Sequence, residues 1–296
     1  MKQTEFRRGY VAIAGRPNVG KSTLLNALIK QKLAITSPKP QTTRHKIMGI
    51  LTEQNYQIVF FDTPGLFTPD YILQSMMVKT ALATMHEADV VLLLVDAAEK
   101  GYHLDPKIIA EIHNVSKPVL LVMNKIDLVP KEHILPLIDA YREIYPFSEL
   151  IPISALQKEG LEHLLQVTVS YLPEGIPFYP AEALTDQTER FFVSELIREI
   201  IFKKFKDEIP YSATVKIAEF KKRKKLYIRA DIFVERDSQK AILIGEGGKA
   251  LKELGRKARR EIEIFLEEDV FLDLWVKVRK KWRRKKHDVK DLEYTP

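Results

Sequence analysis

The chain of 296 residues contains no cysteine, which excludes disulfides and thiolate-bound zinc. Its seven histidines fall in no H-x-x-x-H or comparable spacing, so a histidine-held metal centre is not implied either. No stretch approaches the roughly 18 to 20 apolar residues that cross a bilayer. The N-terminal segment Met1-Lys2-Gln3-Thr4-Glu5-Phe6-Arg7-Arg8 lacks the apolar centre of a secretory leader. The expectation is a cytoplasmic protein that neither spans a membrane nor is secreted. A hydrophobic content of 45% over this length is enough for two modest cores.

What is present begins with a phosphate cradle. An apolar strand at residues 10–14 leads into Gly15-Arg16-Pro17-Asn18-Val19-Gly20-Lys21-Ser22-Thr23, the spacing G-x-x-x-x-G-K-S, and residues 22–29 recur with the period of a helix. Loop amides and a helix N-terminus then converge on one point, which suits an anion of high charge density. In such a loop the Lys21 ammonium reaches the β- and γ-phosphates, and the Ser22 hydroxyl supplies one oxygen to Mg²⁺.

Residues downstream read the nucleotide. A buried strand at residues 56–61 ends in Asp62-Thr63-Pro64-Gly65, placing a carboxylate near the metal, as a water-mediated Mg²⁺ partner, and a glycine N–H near the γ-phosphate. Another apolar strand, 118–123, delivers Asn124-Lys125-Ile126-Asp127. A carboxylate only accepts hydrogen bonds, so Asp127 suits the N1–H and 2-amino donors of guanine and not adenine. The Lys125 stem would cover the ring, and Asn124 would tie this loop to the phosphate loop. A third strand, 150–153, runs into Ser154-Ala155-Leu156, where the Ala155 N–H could donate to guanine O6.

These four segments, 15–22, 62–65, 124–127 and 154–156, resemble the G1, G3, G4 and G5 boxes of the translation-factor class of GTPases over residues 9 to about 172. Between the first two boxes, the polar, proline-containing stretch 35–45 reads as switch I, with Thr42 or Thr43 as the Mg²⁺ ligand that senses the γ-phosphate. Similarity to the Thr-Thr-Arg switch of the Era and tRNA-modifying group favours Thr43. Leu66 follows Gly65 where Ras-like GTPases carry a water-orienting glutamine, so slow intrinsic hydrolysis is expected. Asn18 matches a position that in related GTPases helps hold K⁺, which implies potassium-stimulated turnover. Lys21, Thr43, Gly65 and Asn18 are the candidate catalytic residues, and Ser22, Thr43 and Asp62 the candidate metal ligands.

Charge is uneven along the chain. Residues 1–184 hold 18 Lys+Arg against 19 Asp+Glu, whereas residues 185–296 hold 29 against 21. That asymmetry is the footprint of a polyanion partner, nucleic acid before membrane. The break falls in a Pro- and Gly-interrupted linker, 173–186. It divides an α/β first domain (1–172), a doubly wound and mainly parallel P-loop sheet, from an α+β second domain (187–296).

In the second domain a helix at 188–205 and strands at 213–220 and 226–234 are expected. The hairpin tip Lys221-Lys222-Arg223-Lys224-Lys225 is either a solvated turn or a phosphate contact. Ala241-Ile242-Leu243-Ile244-Gly245-Glu246-Gly247-Gly248-Lys249 then sets a G-x-x-G between two helices, and an alternating strand follows at 270–278. Bare glycines let a nucleic-acid backbone approach, with amides at the next helix facing its phosphates. Lys249, Lys252 and Arg256 extend a positive edge. Ile242 and Ile244 are either a groove floor or plain core. The order resembles a type II KH domain over about 190–285. The terminal run 278–286 is either a frayed basic tail or a phosphate grip with Trp282 stacked on a base.

A GTPase domain followed by one KH domain, with Gln-Thr-Thr-Arg in switch I, resembles the Era-type GTPases. That resemblance implies GTP/GDP, Mg²⁺ and K⁺ as cofactors. The implied partners are the 3′ end of small-subunit ribosomal RNA and the 30S subunit, with a role in small-subunit maturation. Peripheral contact with the inner face of the cell membrane is a further implication. No DNA partner is expected, and the chain is expected to act as a monomer.

Overall fold

The computed structural model describes residues 6–99 and 104–294; Met1 to Glu5, at the start of the stretch read above for a leader, lie outside them. In chain order the first half forms β1 (Arg7–Gly15), α1 (Lys21–Ile29), β2 (Ile47–Glu53), β3 (Tyr56–Asp62), α2 (Ile72–Glu87), β4 (Val90–Asp96), α3 (Pro106–His113), β5 (Val119–Asn124), α4 (Ile134–Arg142), β6 (Glu149–Pro152) and α5 (Leu161–Ser170). The strands assemble in the order β2-β3-β1-β4-β5-β6, with β2 antiparallel to β3 and the remaining pairs parallel. The unbroken apolar runs have a physical cause: β1, β4 and β5 lie mid-sheet with helices on both faces, so neither face can be polar. One buried cluster joins Val11, Ile13 and Leu25 beneath α1, and another joins Ala12, Leu93 and Leu121 on the opposite face.

The second half forms α6 (Glu189–Lys204), α7 (Ile209–Ser212), β7 (Thr214–Lys221), β8 (Leu226–Val234), α8 (Asp237–Ile244), α9 (Lys249–Leu266), β9 (Val270–Val278) and α10 (Lys286–Asp291). The three strands order as β7-β8-β9, antiparallel then parallel. This is the helix, two strands, two helices, strand order of a type II KH fold. Thr188 starts α6 with its hydroxyl accepting from the Phe191 N–H at 3.3 Å, a standard cap for otherwise unpaired first-turn amides. Leu254, Ala258 and Ile262 of α9 recur every four residues and are all fully buried, which seals that helix onto α6 and the sheet.

Residues 173–186 are docked along the first sheet. The Gln57 carboxamide oxygen accepts from the Phe178 and Tyr179 N–H groups at 2.7 and 3.0 Å, and the Ile50 N–H donates to the Leu184 carbonyl at 2.8 Å. Phe178 stacks on Tyr10 at 4.6 Å. Among the described residues no helix is long and apolar enough to cross a membrane.

The C-terminal segment departs from both alternatives read from the sequence. Trp282 is fully buried, and its indole N–H donates to the Ser212 carbonyl at 2.9 Å. It packs with Val289, Leu292 and Tyr294 against Leu73, Met76 and Met77 of α2. It therefore cannot stack on a base, and the run around it is packed rather than frayed. The hairpin tip is also engaged: Lys221, Lys222 and Lys225 pair with Glu219, Glu268 and Asp269, and Arg223 lies over the Tyr227 ring.

Candidate functional site

The loop between β1 and α1 folds tightly because only glycine fits its corners. Gly15 has φ 139°, and a Cβ there would sit 2.3 Å from the Leu94 carbonyl oxygen. Gly20 has φ 100°, and its Cβ would fall 2.2 Å from the Asn124 side-chain nitrogen. With no side-chain cap at Gly20, the first-turn amides of α1 stay available to an anion. Lys21 is buried, and its ammonium donates to the Gly15 and Arg16 carbonyls at 3.0 and 2.8 Å. Burial pushes its pKa down to about 8, against the pull of Asp62.

Beside it lies the metal-competent corner. The Ser22 hydroxyl is 2.6 Å from Asp62 Oδ2 and 2.8 Å from Thr43 Oγ1. Asp62 Oδ1 is buried with no hydrogen-bond partner, and burial pushes the carboxyl up to about 6, although Ser22, Lys21 and Thr43 oppose the shift. A buried carboxylate oxygen without a donor, next to two hydroxyls, fits a small hard cation. Among the described residues no three His, Cys, Asp or Glu side chains cluster. The donor set therefore leaves the rest of a coordination sphere to phosphate and water, as suits Mg²⁺. Thr42 faces elsewhere, its hydroxyl donating to the Lys39 carbonyl at 2.7 Å.

At the base-reading end, Asn124 joins three loops. Its amide nitrogen donates to the Val19 carbonyl at 2.8 Å, and its oxygen accepts from the Ala155 N–H at 2.9 Å. The second bond engages the same Ala155 N–H that the sequence offers to guanine O6. Asp127 is held by the Ser154 hydroxyl at 2.5 Å, and Lys125, at φ 68°, pairs with Asp96 at 2.5 Å. Thr63 is buried with its hydroxyl on the Ile13 carbonyl at 2.8 Å, while Leu156 is exposed. A cavity of about 150 Å³ connects Asn18, Lys21, Ser22, Thr43, Gly65 and Lys125.

The two positions tied to hydrolysis are also placed. The Leu66 side chain is buried in the core beside Ala12 and Ala14, and its N–H donates to the Gly15 carbonyl at 3.0 Å. Asn18 donates to the Pro38 carbonyl at 2.8 Å, bridging the phosphate loop to switch I.

The second domain presents a groove of about 510 Å³ between α9 and β9. Gly248, Lys252, Gly255 and Arg256 line one side, and Phe271, Leu272 and Leu274 the other. Gly247 and Gly248 have φ 56° and 76°, and a Cβ on either would meet nothing within 4 Å, so the loop is open to close approach. Glu246 and Lys249 are exposed, Ile242 is 50% exposed, and Ile244 packs against the core.

Comparison with known proteins agrees with both halves. The 50S ribosome-binding GTPase family matches residues 10–125 and the KH domain family residues 208–283. The GTPase Era of Geotalea uraniireducens (strain Rf4) is 48% identical over 296 residues, 99% of this chain and 100% of that protein. The chain belongs to the Era GTPases. Two Era crystal structures superpose on it. A tyrosine-to-alanine variant of Aquifex aeolicus Era bound to GDP and AlF4⁻ does so with a TM-score of 0.94, and Era bound to MgGDPNP and nucleotides 1506–1542 of 16S ribosomal RNA with 0.95. Each is 41% identical, covering 98% of this chain and all of the other. Membership in the Era GTPases makes the chain a GTP-hydrolysing enzyme.

Other Era-fold features were not visible as site residues in the sequence. Leu272 and Leu274 read as ordinary alternation, yet β9 is an edge strand, so they border the groove. Gly255 in mid-helix carried a signal, because an interior helix glycine costs about 1 kcal/mol and needs a packing reason; a Cβ there would be 3.4 Å from Leu274. Switch I proves to be clamped by the second domain. The Arg44 guanidinium donates to the Pro210, Tyr211 and Ala213 carbonyls at 2.9, 2.9 and 2.8 Å. Lys39 donates to the Phe202 and Phe205 carbonyls, and Glu199 takes both the Thr36 N–H and the Lys32 ammonium.

Proposed function

We propose that this Era-family GTPase is a guanine-nucleotide switch in the cytoplasm that binds the 3′ end of 16S ribosomal RNA through its KH groove and acts in maturation of the small ribosomal subunit. The observation that carries this reading is the clamp itself: the loop holding Thr43 is anchored in α6 and α7 of the domain that bears the G-x-x-G groove. Although the P-loop family's description names the large subunit, a full-length relative that binds 16S ribosomal RNA favours the small one.

In this reading the unit up to residue 172 turns over GTP, residues 173–186 are the connector, and the remainder holds RNA. Amides of residues 15–23 wrap the phosphates, Lys21 neutralises the β- and γ-oxygens, and the Gly65 N–H meets the γ-phosphate. Ser22, Thr43 and, through water, Asp62 hold Mg²⁺, which when bound neutralises charge developing on the phosphates. Asp127 accepts from guanine N1–H and its 2-amino group, while the Lys125 stem covers the ring. Leu66 leaves the attacking water without a side-chain partner, so turnover is slow until charge is added, with K⁺ beside Asn18 as the candidate. Gly245, Glu246, Gly247, Gly248 and Lys249 hold the RNA backbone; Lys252 and Arg256 neutralise it, with Ile242 and Ile244 at the groove's end.

Hydrolysis of GTP measured with and without an RNA spanning nucleotides 1506–1542 of 16S ribosomal RNA tests the reading. Stimulation by that RNA, and not by a scrambled RNA of equal length, is expected. Identical rates would overturn the coupling of the two sites.

A further inference from the structure

Gln41 lines the nucleotide cavity together with Lys21, Thr43 and Gly65, and its side chain has no part in the roles given to that site. It sits on switch I two residues before Thr43, at φ 59°. A non-glycine residue rarely adopts that left-handed backbone, and such positions persist where surrounding contacts hold them, often at ligand clamps. The contact that holds the Gln41 side chain comes from α2. Gln74, in the first turn of that helix and only 4% exposed, donates from its amide nitrogen to Gln41 Oε1 at 3.1 Å, while its own Oε1 accepts from the Asp70 N–H at 2.6 Å.

The Asp70 amide fixes the direction of this chain of hydrogen bonds. A backbone N–H only donates, so Gln74 must turn its oxygen to Asp70 and its nitrogen to Gln41, and Gln41 must answer with its oxygen. The Gln41 amide nitrogen is then left with two donors and, among the described residues, no acceptor. Leu66, buried in the core, sends no polar group into the same cavity. An uncharged donor pair, held in place before the reaction, suits an oxygen that gains negative charge during it.

We propose that Gln41 donates from its side-chain amide to a γ-phosphoryl oxygen in the transition state, and that Gln74 is the positioning residue that keeps this amide turned toward the phosphate. The proposal rests on the reading above that sets the γ-phosphate between Lys21, Thr43 and Gly65. In the step it assists, the water oxygen bonds to the γ-phosphorus. The bond from that phosphorus to the β–γ bridging oxygen breaks, its electron pair leaves on GDP, and both water protons end on the inorganic phosphate as H₂PO₄⁻. Gln41 gains and loses no proton; it neutralises charge by hydrogen bonding alone. Because Gln41 belongs to switch I and Asp70 lies five residues past Gly65, the donor is in place only when both segments are ordered against each other.

The test measures single-turnover GTP hydrolysis by the full-length protein without RNA, and the affinities for GDP and for GDP with AlF4⁻, in Gln41→Ala and Gln74→Glu. Gln74→Glu keeps a hydrogen-bonded bridge but reverses it. A carboxylate only accepts, so the Gln41 nitrogen turns to α2 and its oxygen to the phosphate. Both variants are expected to hydrolyse GTP at least tenfold more slowly, to hold GDP within about twofold of wild type, and to lose affinity for GDP with AlF4⁻ by a factor similar to the rate loss. A wild-type rate in either variant would overturn the proposal. So would a rate loss matched by an equal loss of GDP affinity, the signature of a bridge that only shapes the site. Thr43→Ala separates the two levels of inference: if it also turns over at the wild-type rate, the placement of the γ-phosphate fails, and the role of Gln41 with it.

Discussion

Arg44 donates from Nη1 to the carbonyl oxygen of Ala213 at 2.8 Å, across the boundary between the two domains, and the residue before it is Thr43. The guanidinium is only 5% exposed and is shared among three carbonyls at the end of α7. A displacement of Thr43 therefore pulls on the second domain. Replacing Arg44 with alanine leaves those carbonyls without a donor and should cost about 3 kcal/mol of interdomain stability. Lysine should not rescue it, because one ammonium cannot reach all three. Denaturation followed by Trp282 emission, in a Trp275→Phe background, reads the loss.

Glu195 and Arg198 form a buried bidentate pair at 2.8 and 2.5 Å on the helix that faces switch I. The Arg198 guanidinium holds the Glu195 carboxyl below its ordinary range, even though burial alone would raise it. A depressed folded-state pKa means the native state binds fewer protons, so this contribution is present above the unfolded value and is lost as pH falls below about 4.5. Glu195→Gln should destabilise by about 3 to 5 kcal/mol at pH 7 by stranding the Arg198 charge. The deficit should shrink toward pH 3 in denaturant titrations at several pH values.

Gly20→Ala places a methyl group 2.2 Å from the Asn124 amide in a backbone conformation with φ 100°. Asn124 must then release Val19 or Ala155, so nucleotide affinity should fall at least tenfold while the fold melts within a few degrees of wild type. Fluorescent GDP titration and thermal unfolding separate the two effects.

Asp127→Asn exchanges one acceptor for a donor. Affinity for GTP should fall by about two orders of magnitude, and affinity for xanthosine triphosphate, which has a carbonyl in place of the 2-amino group, should rise. Competition binding with both nucleotides checks the direction.

Leu66→Gln should not create a faster enzyme. The side chain points into the core rather than toward the phosphates, so an amide there is buried without an assured partner, at a cost of about 1 to 3 kcal/mol. Single-turnover hydrolysis is expected to stay within a few-fold of wild type while the melting temperature drops.

Much of this was legible in the sequence because it depends on local spacing. The G-x-x-x-x-G-K-S loop, the Asp62 and Asp127 tetrads, and the G-x-x-G between two helices each specify backbone geometry within a few residues. The continuous apolar runs of β4 and β5 and the alternation along β9 specify strands for the same reason. What stayed hidden depends on pairings between distant segments. Nothing near Arg44 says that its donors go to residues 210–213, some 170 positions away. A tryptophan amid lysines and arginines reads as a base-stacking residue until Leu73 and Met77 of α2 are seen to cover it. The contact between the Ala155 N–H and Asn124 is hidden for the same reason, because Asn124 comes from another strand.

Linkage requires that, if switch I couples the nucleotide to the RNA groove, RNA affinity differs between the two nucleotide states. The most direct measurement is the dissociation constant for the 1506–1542 RNA with the protein saturated by a non-hydrolysable GTP analogue and, separately, by GDP, in wild type and Arg44→Ala. A wild-type ratio between about 5 and 150, the range of a coupling energy of 1 to 3 kcal/mol, that falls toward one in the variant is the predicted result. Equal wild-type affinities in the two nucleotide states would contradict it.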